Sequence, residues 1–73
     1  MFEDKFIARD VSDLMLDIGE KLNASLAQVQ KGSSAAEFEA YRAVAGQLMG
    51  KMLFEVMNPI YSRHPELKPP GLE

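Results

Sequence analysis

The stretch Glu37 to Met57, EFEAYRAVAGQLMGKMLFEVM, restricts the possible folds more than any other part of the chain, because almost all of its circumference must be covered. At about 100° per residue, Phe38, Tyr41, Ala45, Leu48, Met52 and Val56 fall on one helical stripe, the periodicity of a buried face. A second band holds Ala36, Ala40, Ala43, Gly46 and Gly50, whose small or absent side chains would let another backbone come close. Past Gly46 the apolar arc widens through Met49, Leu53, Phe54 and Met57, leaving only Gln47, Lys51 and Glu55 as a polar strip. One neighbouring helix cannot cover an arc of that width.

A partner for this helix lies upstream. Ile7, Val11, Leu14, Ile18, Leu22, Leu26 and Val29 recur at three- and four-residue steps, which predicts one long amphipathic helix from about Glu3 to Gln30. Gly19 is its one poor helix former, costing ~1 kcal/mol relative to alanine. Asp17 and Lys21 form an i,i+4 pair with the acid on the N-terminal side, the favourable order. Between the helices stands Lys31-Gly32-Ser33-Ser34. Gly32 is expected to end the first helix through a positive φ, and Lys31 suits the negative end of the helix dipole. Ser34-Ala35-Ala36-Glu37 has the serine-to-glutamate spacing of a capping box, which predicts the start of the second helix. So short a connection between long helices forces an antiparallel hairpin.

The second helix meets Asn58-Pro59, where an end or a kink is expected because proline lacks a backbone donor. A further turn to Arg63 can follow, with Asn58 as its cap and Pro59 at its first position. Beyond His64, Pro65, Pro69 and Pro70 predict an extended tail over residues 65–73, and Leu72-Glu73 could be a cloning remnant. Antiparallel packing should bring Phe2 and Phe6 against Ile60 and Tyr61.

The expected architecture is therefore all-α, a two-helix antiparallel hairpin that dimerises into a four-helix bundle. The interface with a second copy or another partner is expected to draw on Phe38, Tyr41, Ala45, Gly46, Leu48, Met49, Gly50, Met52, Leu53, Phe54, Val56 and Met57. At 73 residues the chain is near the size where one core is barely adequate without staples or oligomerisation.

Composition narrows the functional classes. Eight basic against eleven acidic residues give a net charge of −3 with no basic cluster, which argues against nucleic-acid binding through phosphate neutralisation. The absence of cysteine removes disulfides and thiolate metal sites and suits a cytoplasmic protein. Charges recur every few residues in MFEDKFIARD, unlike an export signal, and no apolar run is long enough to cross a bilayer.

Each polar constellation has an ordinary explanation beside its functional one. Asp10, Asp13, Asp17 and Glu20 line one side of the first helix and could bind a divalent cation, but they lie opposite the apolar stripe, where a solvated face belongs. A di-metal carboxylate bundle would need inward Glu-x-x-His pairs, which this sequence lacks. His64 has no orienting acid in a recognisable motif and reads as a cation near a helix C-terminus. Met49, Met52 and Met57 fit either a core or an adaptable groove. Gly46-x-x-x-Gly50 marks close packing in membranes but says less in water. No catalytic motif, metal site or cofactor-binding pattern is present, so the expected role is a non-enzymatic protein-protein interaction module. The alternative is a bundle holding a small apolar ligand among Met49, Met52, Leu53 and Phe54.

Overall fold

Asp4 starts the fold. Its carboxylate accepts hydrogen bonds from the backbone N–H groups of Phe6 and Ile7 at 2.8 and 3.3 Å, satisfying two of the amides that a helix N-terminus leaves without partners. The computed structural model describes residues 1–71, so Leu72-Glu73 lie outside the described residues. Helix α1 runs Lys5–Gly32 and carries the expected Asp17–Lys21 pair at 3.0 Å. Gly32 stays helical, contrary to the expectation of a positive φ. The helix ends instead at Ser33, which is extended (φ −133°, ψ 173°) and donates both its backbone N–H and its hydroxyl to the Val29 carbonyl, at 3.0 and 2.6 Å.

Ser34 is also extended and opens helix α2, Ala35–Met52. The capping box is complete: the Glu37 N–H donates to Ser34 Oγ at 3.1 Å, and the Ser34 N–H donates to Glu37 Oε1 at 3.0 Å. Two extended residues thus reverse the chain, and α2 returns antiparallel to α1. The result is an all-α, hairpin-like arrangement.

The chain does not end or break at Asn58-Pro59. A π-helical turn, Leu53–Met57, joins α2 directly to helix α3, Asn58–Arg63, and the Asn58 N–H reaches back five residues to the Leu53 carbonyl. Asn58 has helical dihedrals (φ −60°, ψ −45°) and makes no cap, because the helix is already running when it arrives. Two requirements explain the wide turn. A proline ring in a regular α-helix collides with the carbonyl four residues back, and a wider preceding turn opens that space. The second requirement is register. The twelve residues from Ala45 to Met57, both buried, would rotate a regular helix by about 120° beyond whole turns. One extra residue in the turn cuts this to about 20°. Met57, Ile60, Tyr61 and His64 therefore return to the seam begun by Phe38, Tyr41 and Ala45.

The core is small and sits toward the open end of the hairpin. Ala8, Met57, Ile60 and Tyr61 form its buried centre, with Val11, Met15, Leu53, Val56 and Leu67 packed around them. Ser12 is buried here too, its hydroxyl sharing a 2.6 Å hydrogen bond with that of Tyr61. In the N-terminal half of α1 the seam thus uses Ala8 and Ser12, not the expected Ile7 and Leu14, which remain 48% and 52% exposed. Phe6 is likewise 72% exposed, on the side of α1 that carries Asp10, and is not part of the core cluster around Ile60 and Tyr61.

The segment after α3 starts as a 3-10 turn, Pro65–Leu67, where its prolines had suggested extended chain, and Leu67 packs on the core. This pole is laced to the N-terminal arm. His64 Nε2 lies 2.9 Å from the Phe2 carbonyl oxygen, Lys5 pairs with Glu66 at 3.5 Å, and Arg63 pairs with Glu3 at 3.6 Å. Phe2 itself takes the left-handed backbone conformation, φ 62°.

Candidate functional site: an apolar groove and two open faces

A hairpin of two helices has a seam and two open faces. Ser25 and Tyr41, whose hydroxyls share a part-buried 2.8 Å hydrogen bond across the seam, stand at the edge of one of these faces. Ile7 and Leu14 lie eighteen and eleven residues before Ser25, close to whole numbers of helical turns, and Leu48 lies seven after Tyr41. This face is therefore an exposed strip of Ile7, Leu14, Val44 and Leu48.

The opposite face holds a groove of ≈490 Å³. Its walls are Met15, Leu16 and Gly19 from α1 and Met49, Met52, Leu53 and Met57 from the returning strand of helix, with Glu20 and Asn23 also contributing to the lining. Gly19 meets no atom within 4 Å of where a Cβ would stand, so α1 presents bare backbone to the groove. Four methionines and two leucines give walls that can reshape around what enters.

The expected interface residues do not share one surface. Ala45 and Met57 are buried inside the hairpin, and Tyr41 is tied to Ser25 across it. Phe38, Met49, Gly50, Met52, Leu53 and Val56 are half-buried, while Gly46, Leu48 and Phe54 are exposed. Of the four residues expected around a small ligand, Met49, Met52 and Leu53 line the groove but Phe54 does not; it stands 68% exposed one position further round the helix than Leu53. Met15, Leu16 and Gly19 complete the groove, although no ligand role was expected of them. Their signal was in the sequence, since the apolar Leu16 interrupts the polar side of α1. The close approach expected at Gly46 and Gly50 is absent among the described residues, because nothing there lies within 4 Å of a Cβ built at either.

The polar candidates are spoken for or solvated. Asp10, Asp13, Asp17 and Glu20 are exposed, and among the described residues no group of three or more His, Cys, Asp or Glu side chains could hold a metal ion. His64 stands at the C-terminal end of α3, as its position suggested, and is buried with Nε2 2.9 Å from the Phe2 carbonyl oxygen. Glu66, near the imidazole at 3.8 Å, is held below the usual glutamate range first by its own backbone N–H and then by Lys5 and His64. A second cleft, at the same pole, is lined by Asn58, Tyr61, Ser62, Pro65 and Lys68, a set with no carboxylate or imidazole to move a proton. Among the described residues no helix is long and apolar enough to cross a membrane. No protein-family model, curated protein or solved structure matches this chain.

Proposed function

We propose that this chain is a small, non-enzymatic interaction module of the cytoplasm that works as a helical homodimer, two hairpins forming a four-helix bundle. One observation carries the reading: the hairpin is a single layer measuring 45 × 20 × 16 Å with large apolar side chains on both open faces. Stable domains bury apolar faces between at least two layers, and a second hairpin supplies the missing one. Light scattering coupled to size exclusion at low micromolar concentration tests it. The expected result is twice the 8.1 kDa chain mass; a well-folded particle of one chain's mass would sink the four-helix bundle.

The groove favours a second reading, a carrier of a small apolar ligand, since ≈490 Å³ lies within the range of small-molecule sites. Native mass spectrometry of the purified protein separates the two. A carrier retains a low-mass adduct, whereas an interaction module gives chain masses alone.

A further inference from the structure

Resting on the reading of a homodimer, we infer that the two copies pair through the groove face, and that Phe54 of each inserts into the groove of the other. The slab offers roughly 900 Å² of projected area per broad face, slightly above the ~800 Å² per partner that a standard stable interface buries. A second copy of this chain is therefore large enough to use the face, and its own face is of matching size.

Three features select the groove face over the strip of Ile7, Leu14, Val44 and Leu48. Phe54, 68% exposed and next in sequence to Leu53 of the groove wall, is a knob, and the groove is a hole. A two-fold dimer requires both on one surface, because each copy must offer what the other receives. The volumes also agree: a cavity of ~150 Å³ already holds benzene, so ≈490 Å³ accepts a phenyl ring with neighbouring side chains folding over it. Finally, Gly46 and Gly50 precede Phe54 at four-residue steps and form one ridge of α2 with it, with open space where their Cβ atoms would be. That ridge lets two α2 helices approach closely enough for the rings to reach across. The strip on the other face offers the exposed side chains of Ile7, Leu14, Val44 and Leu48.

Phe54→Lys removes the knob without touching the buried core, so the dimer dissociation constant should rise at least about 30-fold, as for a central aromatic anchor, while helicity by circular dichroism persists at concentrations where the variant still pairs. Leu48→Lys, on the opposite face, should leave the constant within about threefold, as a residue outside the contact would. In a dimer assembled from one isotope-labelled and one unlabelled copy, filtered NOEs should link the Phe54 ring to the methyl groups of Met15, Met49 or Met52. A wild-type dimer that survives Phe54→Lys but dissociates in Leu48→Lys, or one whose intermolecular NOEs run through Leu14 and Leu48, overturns this inference and leaves the homodimer standing. A wild-type monomer removes the homodimer and this inference together.

Discussion

At Ser34 one hydroxyl and one carboxylate satisfy two amides that the start of α2 would otherwise leave unpaired. Ser34→Ala should lower stability by ~1 kcal/mol, read as a shift in the urea midpoint, with an unchanged midpoint placing the cap elsewhere. The bond is also pH-dependent. The Ser34 backbone N–H, and then its hydroxyl, hold Glu37 below the ordinary glutamate value of 4.5. A carboxylate depressed by folding stabilises the fold above its unfolded value and ceases to do so as pH falls through the lower, folded one. Stability should therefore decline below about pH 4.5 with a contribution that Glu37→Gln removes. Glu37 is fully exposed, so the effect is small and best read by comparing the pH dependence of the two melting temperatures. The buried hydroxyl pair behaves differently. Tyr61→Phe strands the Ser12 hydroxyl and should cost ~1–3 kcal/mol, while adding Ser12→Ala should restore part of the loss. A double mutant no more stable than Tyr61→Phe would show that the pair adds nothing.

Among the elements, the π-helical turn sets the register of everything after it. Inserting one alanine between Phe54 and Glu55 rotates Ile60 and Tyr61 out of the seam by about 100°, at ~1.5–3 kcal/mol for each large apolar side chain uncovered. Deleting Glu55 together with Pro59→Ala should instead convert the turn to ordinary α-helix and keep both residues buried. Thermal melts followed at 222 nm compare the two, and an insertion as stable as the deletion would refute a register role. Much of the rest was legible in the sequence. The long apolar periods set both helices, and the Ser34–Glu37 spacing marked the reversal. The π turn was not, since Pro59 announces a disturbance without saying whether the chain stops, kinks or widens. Nor was the seam in the first half of α1. Ile7 and Leu14 outweigh Ala8 and Ser12 in any hydrophobic count, yet the smaller pair is what fits against Met57, Ile60 and Tyr61. The tie from His64 to Phe2 spans sixty-two residues and involves a backbone oxygen, which leaves no mark in residue types. The groove was half visible: its methionines stood out, whereas the Gly19 floor needed the pairing of helices to acquire meaning.

For the whole molecule, shape is the informative quantity. A compact chain of 8.1 kDa exposes about 4,500 Å², against 5205 Å² here. The radius of gyration is 14.4 Å, where a globular domain of this length has about 11 Å. A chain so extended, with a core centred on four buried side chains, gains much of its stability from assembly if it pairs as proposed. Its melting temperature should then rise with protein concentration, because mass action favours the folded dimer. A melting temperature constant across a hundredfold dilution would show that the hairpin stands alone.

The lacing of the N-terminal arm to His64 and Glu66 has a geometric consequence. It holds both ends of the hairpin at one pole, while the Ser33-Ser34 reversal occupies the other, some 45 Å away along the long axis. A reporter attached ahead of Met1 and another grafted into the reversal would be kept apart by a stiff rod of known length. The hairpin is thus a strut with two addressable tips, a ruler whose markings are its own helical turns.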